Sequence, residues 1–434
     1  MTTGVPVSLD ERIHTLDILR GLALLGMILV HFHQHMEIEA SGAESLIGWV
    51  TWVGVETKAW GVFALLFGAG FAVLLRNLER RGRPVAAIYF RRLAALAAFG
   101  FIAEAGFGFQ ILLEYAIWGV PLLLIRNWRS RALLAVAVLV VAVTPTVSAV
   151  RALARQARPV SVSEHARPAA RPGAQAALHA AEATGRYLPL LRVRLANMRS
   201  KYGFWSTYLP GSTFALFVIG LLAFRYGVFT DPRARLHLIS GAMAFGFIAW
   251  ALNWTVYATG LTISNPALRP ALLSAFGLIQ DQWLCLTYAG AVILLVAYRP
   301  VWQSRLRFVG VAGRMALTNY LLQVAVLDVL ASSYGAALRV RPLISVGLTA
   351  LMFGSLAAFS RWWLTRFRFG PAEWLWRAAT YLRWPAMQSP LLATAGLQTV
   401  DAEGGDAAAS GNSRGWRASG RFAERSGAST SERG

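Results

Sequence analysis

The sequence predicts an all-α fold, a polytopic membrane helix bundle of about ten transmembrane helices with both termini in the cytoplasm. Three observations lead to this prediction. Of the 434 residues, 56% are hydrophobic and 15% are charged, and the mean hydropathy is +0.49, whereas soluble domains carry about 25% charged residues. Apolar stretches long enough to span a bilayer recur along the chain. Arginine clusters separate many of these stretches, as is typical of cytoplasmic loops.

The apolar stretches define the organisation of the chain, because a spanning helix needs ~20 mostly apolar residues. The predicted spans begin near Leu16, Ala59, Tyr89, Phe107, Arg131, Thr207, Leu236, Ala275, Phe308 and Leu343. Glu114 and Asp281 interrupt the fourth and the eighth. The predicted regions are a cytoplasmic N-terminus (1–15), a five-helix membrane half (16–150), a long extracytoplasmic loop (151–206), a second five-helix half (207–384) and a cytoplasmic tail (385–434).

The formal net charge of +21 comes almost entirely from arginine. Arginine-rich loops follow the second, fourth, sixth and eighth spans, which predicts that these loops are cytoplasmic. We therefore expect a multi-pass protein of the cell (cytoplasmic) membrane whose partner is the lipid bilayer. The same pattern argues against nucleic-acid binding, for which a basic face would be needed. The loop 151–206 is basic yet falls outside, and long loops obey the charge rule weakly.

The long loop and the tail differ in composition from the spans. Residues 155–185 are rich in Ala, Arg and Pro and are expected to be mobile. From Arg186 to Trp205 leucines alternate with basic residues, which predicts an interfacial amphipathic helix. The tail is rich in Gly, Ser, Ala and Arg and is predicted to be disordered. The single Cys285 cannot form an intramolecular disulfide and excludes thiolate clusters for zinc or iron–sulfur.

The first span, RIHTLDILRGLALLGMILVHFHQH, carries the main candidates for a functional site. Arg20 and His31 are eleven residues apart, so both project from one helix face, ~16 Å apart along the axis, with Asp17 and His35 beside them. Ionisable residues inside a bilayer normally face the bundle interior or a wet cavity. We predict catalytic roles for His31 and Arg20 and substrate-binding roles for Asp17 and His35. The alternative for Arg20 is to snorkel to the inner headgroups and pair with Asp17.

A metal site on this helix is not expected. Of His31, His33 and His35, a helix can bring only the first and the third to one metal ion.

The other candidates are polar side chains in later spans. Further predicted substrate-binding residues are Glu114, Tyr115, Arg314, Asn319 and Gln323. The alternative for the ninth span is hydrogen bonding between helices, because Arg314 and Thr318 would lie one helical turn apart, as would Asn319 and Gln323. Glu373, Trp374, Trp376 and Arg377 follow the last span, where the aromatic side chains predict an interfacial anchor. No Walker loop is present, which argues against ATP-driven transport.

Several motifs resemble those of the YeiB-like integral membrane proteins of unknown function (domain of unknown function 418). They are the Leu-Asp-x-Leu-Arg-Gly opening of the first helix (16–21), LLFGAGFAVLL (65–75), YFRRLAAL (89–96), ALFVIGLLAFRYGVF (215–229), GRMALTNYLLQ (313–323) and GPAEWLWRAATY (370–381). The resemblance covers residues 12–384. The chain departs from the family at Glu104, where a histidine is typical, at Gln110, where an aspartate is typical, and at His31, where asparagine is more frequent.

An arginine followed by a histidine in the first helix, here Arg20 and His31, resembles the transmembrane acyltransferases, a broader group distantly similar to this family. That similarity implies an acyl-CoA donor, rather than a bound cofactor, approaching from the cytoplasm. His31 would serve as general base or acyl relay for a saccharide or lipid acceptor at the outer face. Predicted donor phosphate-binding residues are Arg76, Arg80, Arg91 and Arg92.

Two other functions stay open at this point. The first is a secondary transporter or permease for a small solute, with Arg20, His31, Glu114 and Asp281 lining its pathway. The second is a non-catalytic membrane scaffold. The substrate and the oligomeric state do not follow from the sequence.

Overall fold

The computed structural model describes residues 13–38, 41–108, 110–154, 172–201, 212–260 and 281–388. Several predictions fall outside these residues. They concern the N-terminal residues 1–12, the loop centre at 155–171, the starts of the sixth and eighth spans near Thr207 and Ala275, and the tail from residue 389.

Helices make up most of the described chain. They are α1 (His14–Met36), α2 (Ala43–Val50) with a π-helical turn (Thr51–Val55), α3 (Lys58–Arg80), α4 (Val85–Phe107), α5 (Leu112–Leu124), α6 (Ser130–Ala154), α7 (Pro172–Ala183), α8 (Tyr187–Lys201), α9 (Ser212–Arg225), α10 (Leu236–Gly260), α11 (Leu284–Tyr298), α12 (Pro300–Arg305), α13 (Arg307–Arg314), α14 (Ala316–Ala331), α15 (Pro342–Arg366) and α16 (Pro371–Tyr381). Among the described residues, the extended backbone pairing is an isolated bridge between Glu37 and Val340.

Five helical segments of the described chain are long and apolar enough to cross a bilayer: α1, the stretch Ala43–Arg80, α4, Leu236–Thr255 within α10, and α15. α13 and α14 together form a bent sixth, and four shorter apolar helices lie in α5, α6, α9 and α11. In chain order these segments follow the predicted spans one for one. The predicted all-α membrane bundle is confirmed, whereas its orientation in the membrane stays a prediction.

The helix termini gather at two opposite ends of the bundle. One end holds the arginine-rich turns at 81–84, 125–129, 226–235 and 299–306, and we call it the basic end. There Arg225 Nη1 donates to the carbonyl of Trp128 (3.0 Å). At the other, the far end, the backbone N–H of Val340 donates to the carbonyl of Met36 (2.8 Å). Consecutive long helices therefore run in alternating directions.

α1 lies at the centre of the bundle, packed against α3, α13, α14 and α15. Glycines permit its close approach to α13, because a Cβ on Gly21 would collide with the carbonyl oxygen of Val309, and one on Gly313 with that of Asp17. Small residues allow such close contacts between membrane helices. The crossing of α3 and α9 is formed in the same way by Gly68 and Gly220. The helix that carries the main site candidates is thus held on several sides.

The ninth predicted span is broken. α13 and α14 meet at 83° around Met315, so Arg314 and Thr318 do not lie one turn apart on a continuous helix, and that prediction is wrong. A break leaves backbone groups without helical partners, and side chains take their place. Asn319 Nδ2 donates to the carbonyl of Ala312 (2.9 Å). The Glu373 carboxylate accepts a hydrogen bond from the backbone N–H of Leu317 (2.8 Å).

Two helices occupy the far end within the predicted long loop. α7 lies in the stretch predicted to be mobile, where residues 172–183 are helical; their mobility stays a prediction. α8 is helical as predicted, but it is not a simple interfacial helix. Leu188 is 62% exposed, whereas Arg194 is 8% exposed and points into the protein. Its basic side chain finds a buried acidic partner there, which outweighs the usual preference of arginine for water.

The fourth span also begins later than predicted. α4 continues to Phe107 and ends at Gly108, which has the left-handed conformation (φ 75°) typical of helix C-termini. α5 starts at Leu112. Hydropathy alone did not separate the two helices, because the turn between them is itself apolar.

Candidate functional site

The polar face of α1 is largely buried. Asp17 is 3% exposed and His31 8% exposed. Arg20 Nη1 donates to Asp17 Oδ1 (2.9 Å), and the Arg20 side chain lies against α3 at Gly70. The ion pair between Arg20 and Asp17 is the one expected if Arg20 snorkels to the headgroups. The polar face of α1 is nevertheless buried, so this face is directed into the bundle. His31 and His35 face each other with ring centroids 6.3 Å apart.

The residues around the outer turn of α1 form a polar layer at the far end. His33 Nδ1 lies 2.6 Å from Glu37 Oε2, and Ser345 Oγ donates to the other oxygen of Glu37. Gln34 Nε2 donates to Glu56 Oε1 (2.5 Å). Among the described residues, no group of three His, Cys, Asp or Glu side chains comes together as metal ligands.

Lys58, the first residue of α3, is 1% exposed and is therefore a buried cation at the same end. The sequence analysis missed it as a site residue. Its place two residues after Glu56 was the available signal, since a buried lysine requires a nearby anion or hydrogen-bond acceptors.

Arginines from three helices approach one another toward the basic end. Arg92 of α4 lies within electrostatic range of Arg20 of α1 and Arg377 of α16. Its guanidinium lies 3.6 Å from the centroid of the Trp376 ring, whose indole N–H donates to the carbonyl of Arg92 (2.9 Å). Trp376 thus fixes a cationic cluster, the Arg20–Arg92–Arg377 cluster, rather than serving simply as an interfacial anchor.

The four predicted donor phosphate-binding arginines do not share one site. Arg92 belongs to the cluster just described. Arg76 lines a separate cleft between α3 and α9. Arg80 is exposed at the end of α3, and Arg91 is half-buried on α4. Position along the sequence grouped these residues, whereas the helix faces from which they project separate them.

Glu114 and Tyr115 begin α5 near the far end. Glu114 Oε1 accepts a hydrogen bond from Thr213 (2.9 Å), and the Tyr115 hydroxyl donates to the carbonyl of Trp60 (2.7 Å). The Tyr115 ring packs edge-on against Phe217. Both polar groups therefore connect helices, and the Glu114 carboxylate keeps acceptor capacity for a further donor.

The polar residues of α14 divide into two kinds. Asn319 is fully buried and donates across the bundle to Ser360 Oγ (2.8 Å) as well as to Ala312. Gln323 is also fully buried, but neither polar atom of its amide has a hydrogen-bond partner among the described residues. An unpaired buried polar group costs ~1–3 kcal/mol. Gln323 is therefore the stronger candidate for contact with a substrate, whereas Asn319 holds helices together. Arg314 is half-buried beside the break.

Glu373 also has a structural role. Its carboxylate accepts hydrogen bonds from the N–H groups of Leu317 (2.8 Å) and Thr318 (3.1 Å) and from the Thr318 hydroxyl (2.5 Å). Burial raises the pKa of the Glu373 carboxyl, and the hydrogen bonds from Thr318 and Leu317 oppose that rise. Glu373 joins α16 to the first turn of α14.

Two ion pairs attach α8 to the bundle at the far end. Arg194 Nη2 lies 2.6 Å from Asp328 Oδ1 on α14, and Arg194 Nη1 donates to the carbonyl of Gly106 (2.6 Å). Lys201 Nζ donates to both oxygens of Glu104 on α4 (2.7 and 2.8 Å). The sequence analysis noted Glu104 only as a departure from the family pattern. Its partner lies 97 residues away, so no local signal could identify it.

Comparisons with known proteins agree with this architecture. Residues 223–383 match the family model "Protein of unknown function (DUF418)". Residues 12–154 match the model "Heparan-alpha-glucosaminide N-acetyltransferase, catalytic". The second match contains α1 through α6, and the first contains α10 through α16. No solved structure matches the chain.

Three curated bacterial relatives are similar over most of their length. The uncharacterised protein YxaH of Bacillus subtilis is 29% identical, covering 88% of this chain and 98% of the relative. An uncharacterised 39.9 kDa protein of Bacillus acidopullulyticus is 28% identical (87% and 96%). The uncharacterised protein YeiB of Escherichia coli is 27% identical (85% and 96%). The resemblance to YeiB-like membrane proteins, with distant similarity to transmembrane acyltransferases, is confirmed.

Proposed function

We propose that this protein is a membrane-bound acyltransferase of the cell membrane, which takes an acyl group from coenzyme A at the basic end and passes it to an acceptor at the far end. The observation that carries this proposal is the match of residues 12–154 to an acetyltransferase catalytic model. That match contains α1 with both Arg20 and His31. The rest of the argument concerns what this helix and its neighbours can do chemically.

The donor is held at the basic end by the Arg20–Arg92–Arg377 cluster. Arg20 and Arg377, from two other helices, both lie within electrostatic range of Arg92, and Asp17 accepts a hydrogen bond from Arg20. Arginine forms charge-assisted, often bidentate hydrogen bonds with phosphate oxygens. The cluster therefore suits the phosphates of coenzyme A.

The length of α1 restricts the donor. Eleven residues separate Arg20 from His31, which is ~16 Å along a helix. A donor whose phosphates contact Arg20 must therefore carry its acyl group on a long arm to reach His31. Coenzyme A thioesters have such an arm, whereas acyl phosphates do not.

His31 acts as the general base. A hydroxyl or amine of the acceptor attacks the thioester carbonyl carbon, the carbon–sulfur bond breaks, and the imidazole takes the proton of the acceptor. The coenzyme A thiolate leaves and takes that proton from the imidazolium, which gives the free thiol and returns His31 to its neutral form. A saccharide or lipid bearing a hydroxyl group fits the far end, because the carboxylates of Glu37 and Glu56 can accept its hydrogen bonds.

The test is transfer of label from radiolabelled acetyl-CoA by the purified full-length protein in phospholipid nanodiscs. We expect labelled lipid or saccharide product, and His31→Ala should lower the rate by about 10²–10⁴-fold, as expected for loss of a general base. Arg20→Ala should mainly raise the KM for the donor. Arg20→Lys should restore only part of the affinity, because lysine lacks the planar fork.

Two matched variants serve as controls. His237→Ala changes an exposed histidine on α10, and Arg307→Ala changes an exposed arginine on α13. Both should leave activity within twofold of wild type. Full activity in His31→Asn would contradict a role as base. Absence of donor binding, donor hydrolysis and labelled product, together with solute flux in vesicles, would replace this proposal by the transporter.

A further inference from the structure

We propose that a second basic site, the cleft between α3 and α9, binds the phosphate headgroup of an anionic phospholipid. The cleft has a volume of ≈ 520 Å³ and lies at the basic end, where the α5–α6 turn closes one side. It shares no residue with the Arg20–Arg92–Arg377 cluster. The inference therefore goes beyond the proposed acyl transfer and does not depend on it.

Arginines from three elements line the rim of this cleft: Arg76 of α3, Arg126 of the α5–α6 turn and Arg225 of α9. Glu79 is the acidic residue among the lining residues. The positive charge therefore exceeds the negative charge, and an anion entering the cleft meets three guanidinium groups.

Two of these arginines are held in place by backbone carbonyls. Arg225 donates to the carbonyls of Trp128 (3.0 Å) and Arg126, and Arg126 Nη1 donates to the carbonyl of Leu123 (3.0 Å). Each guanidinium has five N–H donors, so both keep donors for a ligand. Their fixed positions reduce the conformational entropy lost when a ligand binds.

Arg76 differs from the other two. Its guanidinium lies 4.9 Å from the centroid of the Phe224 ring, and its buried Nε has no hydrogen-bond partner among the described residues. A buried charged donor without an acceptor is costly. A phosphate oxygen in the cleft would supply the missing acceptor.

The floor of the cleft determines which phosphate compound fits. Ala72 and Leu221 also line the cleft, each one helical turn, ~6 Å, further into the bundle than Arg76 and Arg225. A polar rim above an apolar floor matches a molecule with a phosphate and a hydrocarbon chain. Anionic lipids are enriched at the cytoplasmic surface, where the loop charges predict the basic end to lie. Inorganic phosphate or a nucleotide would leave the apolar floor unused.

The test is a binding titration of the purified full-length chain in uncharged detergent. Binding is measured as the rise in the thermal unfolding temperature. The probes are dioctanoyl phosphatidylglycerol, dioctanoyl phosphatidylcholine, inorganic phosphate and ADP. We expect saturable stabilisation by phosphatidylglycerol, with at least tenfold weaker effects of the other three. Arg76→Gln and Arg126→Gln should each weaken phosphatidylglycerol binding at least tenfold, and Arg76→Lys should retain intermediate affinity because it keeps the charge.

Arg80→Gln is the matched control, since Arg80 lies on the same helix as Arg76 but outside the cleft and its substitution removes the same charge. It should bind within twofold of wild type. Equal losses for Arg80→Gln and Arg76→Gln would indicate general charge attraction and overturn the proposal. ADP or inorganic phosphate binding as tightly as the lipid, with the same dependence on Arg76, would overturn the assignment to a lipid.

Discussion

Breaking the ion pair between Arg194 and Asp328 should release α8 from the far end of the bundle. The two side chains are 8% and 1% exposed and joined by bonds of 2.6 and 3.3 Å. Removing one member of a buried pair costs about 3–5 kcal/mol, because the remaining charge stays buried without its partner. The structure indicates which variant lies at which end of that range.

Arg194→Ala leaves Asp328 with two donors, Ser332 Oγ (3.0 Å) and the Tyr334 hydroxyl, so its cost should be about 3 kcal/mol. Among the described residues, Asp328→Ala leaves the Arg194 guanidinium with the carbonyl of Gly106 as its hydrogen-bond acceptor. Its cost should therefore approach about 5 kcal/mol. Since 1.4 kcal/mol is a factor of ten, amide exchange in α8 should accelerate by about two and about three and a half orders of magnitude.

The assay is hydrogen–deuterium exchange of the α8 amides, with the α1 amides as an internal reference. Arg192→Ala is the control, because Arg192 is exposed on the same helix. In this variant the α8 amides should exchange at a rate within a few-fold of the wild-type rate. The double variant Arg194→Leu with Asp328→Leu should cost less than the two single variants together, since no charge remains buried. The reasoning would be refuted if the double variant cost as much as the two single variants together. It would also be refuted if amide exchange in α8 were unchanged in Arg194→Ala.

Glu373→Ala should lower the free energy of unfolding by about 1–2 kcal/mol, because it removes the acceptor for two N–H groups of α14. Glu373→Gln keeps one acceptor oxygen and should lose less stability in a thermal unfolding assay. Equal losses for the two variants would contradict the capping role. Burial, and then the hydrogen bond to Asp328, raise the pKa of the Tyr334 phenol. Its stabilising contribution should therefore be complete below pH ~10 and decline as the pH rises further, a slope that Tyr334→Phe should lack in unfolding measured at several pH values. Reporter fusions test the orientation: those at the basic end should report cytoplasm, and those at Ala43 and Arg171, the latter outside the described residues, should report the opposite side. The fusion sites for the basic end are Arg83, Trp128, Arg233 and Arg305. A cytoplasmic signal at Arg171 would remove the fifth or the sixth span.

The candidate site was predictable where it depends on one helix. The spacing of Arg20 and His31 placed both on one face of α1, and their cost in lipid predicted that this face looks into the bundle. Side chains that join distant segments were not predictable in this way. Lys201 and Glu104 meet only because α8 folds back over α4, and nothing in either local sequence specifies that contact.

The distribution of the arginines shows the same difference. Their positions between spans predicted a basic end, because charge is excluded from the bilayer wherever it has no partner. Which arginines share a site depends instead on helix rotation and crossing. Arg76 and Arg92 look equivalent in sequence, yet one faces α9 and the other faces α1 and α16.

The sequence by itself determined that this protein is a helical membrane bundle, where its apolar segments lie and which face of α1 is polar. Hydropathy and helical periodicity are local properties, and the bilayer selects for them directly. Tertiary structure alone decided the break at Met315, the inward turn of Arg194 and the full burial of the Gln323 amide. Each of these depends on which backbone carbonyl, carboxylate or apolar surface a distant helix presents, and packing fixes that choice after the helices have formed.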